Sequence, residues 1–327
     1  SKSSATTERY DISYLLRHDA MSKKPNEMTI VEAARALRAR EIMVRELWDA
    51  CAAAAHARNP ELNAYLEIFD IDERAVETGQ IRIETEKEWA PMLCGIELAI
   101  KDNILIEGHI ASAASKMLEN YRATYDATVI KKLKDAGALF LGRTNMDEFA
   151  LGGSTENSAF GVTKNPYDTS RVSGGTSGGS AAAVAAHMAI AALGTDTGGS
   201  VRNPASYCGV IGLKPTYGAV SRSGIIAAVS SFDQVGPITK TVEDARILYE
   251  AIRGKDQLES TSIEYANAGR GQPKRIGVLR GLVQNLGKDV VEKFDAILAR
   301  SGAEIIDIDI HLSNIAIAAY YVINFAE

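Results

Sequence analysis

The stretch from Ser173 to Pro215 constrains the fold of this chain most strongly, because it carries two turns rich in glycine and hydroxyl residues. The turns run from Gly174 to Ser180 and from Gly194 to Ser200, and the alanine-rich segment between them is long enough for a buried helix. Glycine permits positive φ angles and close approach of two backbones, whereas small hydroxyl residues bury little apolar surface. The pattern therefore predicts that the two turns pack closely together and form the base of a catalytic site, rather than two ordinary loops.

Helical and strand-like segments alternate along the rest of the chain. Thr29 and Glu32 fit a capping box before the first helix, Asp126 fits an N-cap, and Asn59-Pro60 is expected to stop the second helix. Predicted helices begin at 29 and cover 44–57, 126–137, 241–254 and 289–300; predicted strands cover 64–69, 93–100, 138–142, 274–281 and 303–310. This order predicts an α/β protein whose helices cover a parallel or mixed sheet. The polar stretch 255–273 is interpreted as a long surface loop.

The composition of the 327 residues is that of a soluble globular protein, with 46% hydrophobic and 24% charged residues. The net charge of −6 and the lack of a basic run disfavour a nucleic-acid-binding surface. Cys51, Cys94 and Cys208 are odd in number and lie at no metal-ligand spacing, which predicts reduced thiols in a cytosol-like compartment. Because no apolar run approaches ~18 residues and the N-terminal sequence lacks a signal-peptide core, we expect a soluble intracellular protein.

The hydroxyl residues of the two turns need a base before one of them can act as a nucleophile. The five histidines are scattered, and none lies in a loop with a glycine-rich or acidic partner. Lys101 directly follows the apolar segment 93–100. From its position alone it is either a solvated strand end or, if burial lowers its pKa towards neutrality, a base for the serine-rich turns.

Ser200 is the best candidate nucleophile, because it follows Gly198-Gly199 and precedes a short apolar turn. The backbone amides of Thr197, Gly198, Gly199 and Ser200 could converge on a developing oxyanion, where each such donor contributes on the order of 3 to 4 kcal/mol. The same sequence also fits a glycine-rich turn with Ser200 as the N-cap of a helix. Both interpretations stay open on this evidence.

Several longer segments give the chain a family resemblance. They are GIELAIKDNI around Lys101, LGRTNMDEFALGGSTENSAFGVTKNPYD, GGTSGGSAAAVAA, LGTDTGGSVRNPASYCGVIGLKPTYGAVSRSGI and SSFDQVGPITKTVEDA. The chain resembles the amidase-signature family and, within it, the A subunits of tRNA-dependent amidotransferases, over residues 29–327. The resemblance implies an amidase-signature fold, with a central mixed β-sheet covered by α-helices. It also implies an N-terminal arm over 1–28 and one domain over 29–327 that lacks about the C-terminal third of the family.

The resemblance also implies catalytic roles for three residues. Lys101 matches the base, Ser200 the nucleophile, and Thr176 the position of a bridging serine. The threonine hydroxyl can still relay a proton, although its β-branch restricts χ1, and Ser177 is the fallback relay. The oxyanion or substrate-binding positions are Thr197, Gly198, Gly199, Ser177 and Tyr321; the segment of Tyr321 fits an apolar helix face equally well. Ser173 and Asn203 are smaller departures, where the family often has proline and glutamine.

The resemblance implies a glutaminase that supplies ammonia to partner B and C subunits. The substrate would be glutamine or asparagine, and the ammonia would convert Glu-tRNA(Gln) or Asp-tRNA(Asn) to the amidated tRNA. ATP, Mg²⁺ and most contacts with misacylated tRNA are expected on the B subunit, with no cofactor or metal in this chain. We expect no membrane association and a cytoplasmic location, or an organelle matrix.

Three alternatives compete with this interpretation. A stand-alone amidase would keep Lys101 and Ser200 but act on another amide, and a non-catalytic subunit is suggested by Thr176 and by the chain end at Glu327. An α/β-hydrolase is suggested by the G-x-S-x-G pentapeptide 175–179 followed by His311. It is disfavoured because the preceding run, NPYDTSRVS, is not an apolar strand.

Overall fold

The computed structural model describes residues 23–264, 274–309 and 315–327. The chain divides into two compact units, one that ends at Glu264 and one that follows it. The division falls inside the polar stretch 255–273, which the sequence analysis interpreted as a surface loop. The boundary between an arm over 1–28 and a domain from 29 onward stays a prediction, because most of that arm lies outside the described residues.

A six-stranded mixed sheet forms the centre of the first unit. The strands of this unit are β1 (Tyr65–Ile68), β2 (Glu97–Lys101), β3 (Leu139–Thr144), β4 (Lys164–Asn165), β5 (Asp168–Val172), β6 (Ala191–Asp196), β7 (Ile211–Gly212) and β8 (Gln234–Thr239). The sheet order is β1-β3-β2-β6-β8-β7, and β4 pairs with β5 in a separate hairpin. Strand β2 is parallel to β3 and β6, whereas β8 is antiparallel to β6. This mixed sheet confirms the predicted α/β class.

Seven helices accompany these strands in the described part of the first unit. They are α1 (Ile30–Arg38), α2 (Val44–Leu62), α3 (Glu73–Glu86), α4 (Thr128–Asp135), α5 (Gly178–Ala185), α6 (Arg202–Tyr207) and α7 (Val242–Ile252). The capping box predicted at Thr29 and Glu32 is present. Thr241, which opens the predicted helix 241–254, caps α7 through its side chain.

Two predicted helix boundaries were wrong. Helix α2 continues past Pro60 to Leu62 and ends at Asn63, which adopts the left-handed conformation. Pro60 lies inside the helix, two residues before its last residue, although a proline there supplies no backbone donor. Asp126 does not cap α4, which begins after Ala127; its carboxylate instead accepts the Glu107 amide and pairs with Lys134.

The predicted buried helix is present as α5, and all eight of its residues are buried. Its bounds differ from the prediction, because α5 includes residues 178–180 of the first turn, while the end of the alanine-rich segment and residues 194–196 of the second turn form β6. The glycines of α5 let it lie directly against neighbouring backbone. A Cβ on Gly179 would stand 2.4 Å from the carbonyl oxygen of Ala64. The small residues therefore allow α5 to seat its N-terminus, and the turn before it, close to the sheet.

The second unit repeats a strand-helix-strand order, as predicted. It contains β9 (Arg275–Val278), α8 (Arg280–Val283), α9 (Lys288–Arg300), β10 (Glu304–Asp307) and α10 (Ala316–Ala326). Strands β9 and β10 are parallel, with Arg275 opposite Glu304. Within the described ranges of both units, no helix is long and apolar enough to cross a membrane.

Candidate active site

Lys101 is the last residue of β2, and its side chain is fully buried. Its Nζ lies 2.7 Å from the Thr176 hydroxyl and 2.9 Å from the Thr195 hydroxyl, with the Thr195 carbonyl oxygen at 3.4 Å. Lys101 is therefore not a solvated strand end. The structure places it in contact with Thr176, as the sequence predicts for a base and its relay.

Burial lowers the pKa of Lys101 to about 7, because the buried surroundings penalise the ammonium form. The negative charges of Asp233, Asp147 and Asp196 oppose this effect and raise the pKa. A large fraction of the amine is consequently neutral near pH 7. A neutral amine can accept a proton from a hydroxyl, which an ammonium group cannot.

Thr176 lies in the turn that precedes α5, and it is fully buried. The peptide bond between Gly175 and Thr176 is cis. The Gly175 amide donates to Asn203 Oδ1 at 3.0 Å, so Asn203 holds this turn. A Cβ on Gly175 would stand 2.3 Å from Asp147 Oδ2, which leaves room only for glycine. The close packing explains the glycine immediately before the relay residue.

Ser200 lies in the turn that follows β6, and a network centred on Asp196 holds this turn. The Asp196 carboxylate accepts the amides of Gly199 at 2.9 Å and Val201 at 3.1 Å. It also accepts two hydrogen bonds from the Arg202 guanidinium, at 3.0 and 2.9 Å. Burial alone would raise the pKa of Asp196, but the hydrogen bonds and charge of Arg202 hold it below the usual range. Asp196 therefore stays ionised and fixes the turn.

The Asp196 network corrects part of the predicted oxyanion site. The Gly199 amide was predicted to face a developing oxyanion, yet it donates to Asp196. The amides of Thr197, Gly198 and Ser200 stay predicted donors. The alternative role of Ser200 as a helix N-cap is wrong, because Val201 is the N-cap of α6. Ser200 itself is buried, with 7% of the residue exposed.

Backbone contact joins the two turns that carry Thr176 and Ser200. The Ser177 amide donates to the Ser200 carbonyl at 3.1 Å. Among the described residues, the structure records no hydrogen bond for the Ser200 hydroxyl, and in particular none to Thr176. Catalytic hydrogen bonds often tighten only when substrate is bound, and the relay from Ser200 to Thr176 stays a prediction.

The side chain of Ser177 does not take the predicted role in substrate binding or as a fallback relay. Its hydroxyl donates to the Thr195 carbonyl at 3.2 Å and accepts the Thr195 amide at 3.3 Å. Ser177 is fully buried, so these bonds to the backbone of β6 use the hydroxyl structurally. This burial also argues against Ser177 as the nucleophile of an α/β-hydrolase, whose proposed partner His311 lies outside the described residues.

Tyr321, the remaining predicted substrate contact, lies on α10 of the second unit and is half exposed. Its ring packs edge-on against Tyr320 and stacks on Phe325. A substrate contact for Tyr321 stays a prediction.

Sequence reasoning missed four residues that build this site: Asn103, Asp147, Asp196 and Asp233. It treated Thr195 only as one of several hydroxyl residues that could be the nucleophile. Asn103 donates to the Thr195 hydroxyl at 3.2 Å, and so both it and Lys101 orient that hydroxyl. Asn103 lies in the turn that directly follows β2, so strand alternation gave no signal for it. Asp233 gave no local signal, because its partner Thr197 is distant in the sequence. Asp196 bonds residues that closely follow it, Gly199 and Val201, which sequence reasoning did not use.

The chain belongs to the amidase family, whose model matches residues 46–327. It is similar to the A subunit of glutamyl-tRNA(Gln) amidotransferase from Desulfatibacillum aliphaticivorans, with 46% identity over 317 residues. The alignment covers 92% of this chain and 64% of that protein. The protein of the same name from Syntrophobacter fumaroxidans is 44% identical, with 93% of this chain and 65% of that protein covered. The chain thus spans a little under two thirds of the length of these relatives.

Solved structures show the same architecture. The crystal structure of the glutamyl-tRNA(Gln) amidotransferase A subunit from Thermotoga maritima matches with a TM-score of 0.81 and 40% identity, covering 92% of this chain and 66% of that chain. The native peptide amidase of Stenotrophomonas maltophilia also matches with a TM-score of 0.81, at 32% identity, covering 90% and 64%. The predicted amidase-signature fold is confirmed.

Proposed function

We propose that this chain is the glutaminase subunit of a tRNA-dependent amidotransferase. The observation that carries the proposal is the buried amine of Lys101, 2.7 Å from the Thr176 hydroxyl, beside the turn that presents Ser200. Similarity to amidotransferase A subunits supports the choice of glutamine, or asparagine, as substrate.

Acylation begins with a proton transfer towards Lys101. Thr176 passes its proton to the neutral amine while it accepts the proton of Ser200, and Ser200 Oγ attacks the side-chain amide carbon of glutamine. The amides of Thr197 and Gly198 donate to the oxyanion of the tetrahedral intermediate. When the C–N bond breaks, the proton returns from Lys101 through Thr176 to the leaving nitrogen, which departs as ammonia.

Deacylation uses the same groups in the reverse order. Lys101, neutral again, draws a proton from water through Thr176 as the water oxygen attacks the acyl carbon. The bond to Ser200 then breaks, and the proton returns to its Oγ. Glutamate leaves, and the site is restored.

The partners of the chain are part of the same proposal. Ammonia would pass to a B subunit that uses ATP and Mg²⁺ to amidate Glu or Asp on misacylated tRNA, and a C subunit would brace the A and B subunits. A cytoplasmic location, or an organelle matrix, is supported by Cys51, Cys94 and Cys208, which are all free thiols.

Replacement of the nucleophile tests the proposal. We expect Ser200→Ala to abolish ammonia release from glutamine by the complex assembled with B and C subunits. Ser206→Ala is the matched control, since Ser206 is an exposed serine on the adjacent helix α6, and it should keep the wild-type rate. Unchanged ammonia release from Ser200→Ala would contradict the assignment of the nucleophile.

A stand-alone amidase is the second candidate, because the peptide amidase structure and the amidotransferase structure match this chain with the same TM-score. Ammonia release should be measured with glutamine and with C-terminal peptide amides, in the presence and absence of B and C subunits. Preference for glutamine that depends on the partners supports the amidotransferase; partner-independent cleavage of peptide amides supports the amidase. The bond between Lys101 and Thr176 argues against a non-catalytic subunit, since the hydroxyl keeps the contact a relay needs.

A further inference from the structure

Asp233 is a buried carboxylate that ties together two segments beside the site. It precedes β8 and is only 4% exposed. Its Oδ1 accepts the Thr197 hydroxyl at 2.6 Å, and its Oδ2 accepts the amides of Ala228 at 2.8 Å and Val229 at 3.1 Å. Asp233 thus holds the first residue of the Ser200 turn against the segment that precedes β8.

Sheet register explains why Asp233 reaches this turn. Asp196, the last residue of β6, pairs with Gln234, the first residue of β8. Asp233 and Thr197 are the next residues outward on the two strands. The hydroxyl-carboxylate bond therefore continues the pairing of β6 and β8 by one step, at the point where the Ser200 turn begins.

The segment held by Asp233 leads back to the base. Ile226, two residues before Ala228, donates its amide to the Asn103 carbonyl at 2.8 Å, and the Asn103 side chain donates to the Ile226 carbonyl at 3.1 Å. Asn103 also donates to the Thr195 hydroxyl, which accepts from Lys101. Asp233 consequently joins the nucleophile's turn and the surroundings of the base in one hydrogen-bonded network.

Asp233 is one of three carboxylates whose charges act on Lys101, and it is the one that also accepts the Thr197 hydroxyl. Asp196 is paired with Arg202, and Asp147 accepts the amides of Thr155 and Asn157. Across the part of the chain that the structure describes, no ion pair is recorded for Asp233 or for Asp147. The charge of Asp233 favours the ammonium form of Lys101 and raises the pKa of that amine. Burial raises the pKa of Asp233, although the Thr197 hydroxyl, the two backbone amides and the charge of Lys101 act to lower it.

We propose that Asp233 is a positioning residue of this site: it fixes Thr197 at the start of the turn that presents Ser200, and it stabilises the ammonium that Lys101 becomes when it accepts a proton. The inference rests on the proposed acyl transfer at Ser200 but not on which amide is the substrate. Asparagine at position 233 would remove the charge and would present an NH₂ group either to the Thr197 hydroxyl or to the two backbone amides.

A phosphonylation assay tests the inference without reference to the substrate. A fluorophosphonate probe reacts when Ser200 Oγ attacks phosphorus and fluoride leaves, while the hydroxyl proton goes through Thr176 to Lys101. The labelling rate of Ser200 would be measured against pH by mass spectrometry, in the complex with B and C subunits. Asp233→Asn removes the charge of the carboxylate, whereas Thr197→Val removes only the hydroxyl that donates to Asp233. Comparison of the two variants separates the effect of the charge from that of the hydrogen bond. Asp256→Asn is the matched control, because Asp256, like Asp233, accepts both side-chain hydroxyl and backbone amide donors. These come from Thr128, Ser221 and Leu258.

We expect Asp233→Asn to label at least about ten-fold more slowly, with the acid limb of its pH profile shifted to lower pH by roughly half a unit or more, because the removed charge favoured the ammonium form. Thr197→Val should label more slowly with its acid limb at the wild-type position. Asp256→Asn should lower the melting temperature and keep the wild-type rate and profile.

The inference is overturned if folded Asp233→Asn, judged by its circular dichroism, labels at the wild-type rate, or labels slowly with an unshifted acid limb. Ammonia release from glutamine, measured on the same preparations, keeps the two proposals apart. Wild-type protein that labels at Ser200 but releases no ammonia would contradict the glutaminase proposal and leave the test of Asp233 intact.

Discussion

Lys101 and Lys240 lie at opposite ends of the strands of one sheet and have different partners; Lys101 is fully buried and Lys240 is partly buried. Lys101 ends β2, whereas Lys240 follows β8. Because β2 is parallel to β6 and β8 is antiparallel to β6, the carboxyl end of β2 lies at one end of the strands and that of β8 at the other. Burial lowers the pKa of both side chains, to about 7 for Lys101 and about 8 for Lys240.

Their hydrogen-bond partners distinguish the two lysines more clearly than their pKa values. Lys101 contacts the hydroxyls of Thr176 and Thr195, which can give up a proton. Lys240 donates to the carbonyl oxygens of Asn26 at 2.8 Å and Met28 at 2.7 Å, which cannot. A lowered lysine pKa is therefore insufficient to identify a base. Lys101 is the candidate base, because its partners are hydroxyls with a transferable proton. Lys240 instead holds the segment before α1 against the end of β8.

Replacing each lysine by methionine gives the largest expected contrast. Lys101→Met should slow acylation of Ser200 by about 10³-fold or more, because a positioned base contributes 10²- to 10⁴-fold. Lys240→Met should stay within about two-fold of wild type. Single-turnover labelling with the fluorophosphonate probe measures both. Equal losses in the two variants would show that the partner chemistry does not distinguish these lysines.

Substitution of Thr176 tests whether the hydroxyl partner is what makes Lys101 a base. We expect Thr176→Val, which keeps the shape and removes the hydroxyl, to lower the rate by about 10²-fold. Thr176→Ser should keep or raise activity, since it retains the hydroxyl and relieves the restriction at χ1. Ammonia release by the assembled complex is the measurement. A large loss in Thr176→Ser would show that the relay assignment is wrong.

The pH dependence of acylation follows from the lowered pKa of Lys101. Its neutral form predominates above about pH 7, so the rate should rise through a midpoint near pH 7 and then level off. Lys240→Met should have the same midpoint, because Lys240 takes no proton from the site. If the midpoint of the pH-rate profile shifts in Lys240→Met, the charge of Lys240 must influence the titration of Lys101, which would contradict their independence.

The smallest expected effect is on stability. Lys240→Met leaves the carbonyls of Asn26 and Met28 without their donor, and an unsatisfied buried acceptor costs about 1–3 kcal/mol. We expect the free energy of unfolding in urea to fall by about 2 kcal/mol. Lys131→Met is the control, because Lys131 is exposed on α4, and it should change stability by less than about 0.5 kcal/mol. Equal stability of both variants would contradict the fastening role of Lys240.

Short sequence patterns correctly predicted those features of the fold that depend on residues close together in the chain. The capping box at Thr29, the buried helix between the two glycine-rich turns and the position of Lys101 at a strand end all follow from short patterns. The choice of Ser200 over other hydroxyls followed from the glycines before it. The family resemblance added Thr176, whose contact with Lys101 the structure shows.

Pairing between distant segments was not predictable from such patterns. Asp233 meets Thr197 only because β8 is antiparallel to β6. The Gly199 amide, predicted to face an oxyanion, turns to Asp196 because that carboxylate lies at the end of the same strand and bonds the whole turn. A glycine-rich turn beside a carboxylate has two possible acceptors for its amides, and only the folded geometry distinguishes them.

The state of the Lys101 amine tests the account most directly. The chemical shift of its ε-carbon can be followed against pH by ¹³C NMR in lysine-labelled protein, with the signal assigned by its absence from Lys101→Arg. The account predicts a titration midpoint near pH 7, which leaves a neutral amine available to accept the proton of Ser200 through Thr176. A midpoint near the ordinary lysine value of about 10.4 would mean that Lys101 stays an ammonium at neutral pH, and would contradict its role as the base.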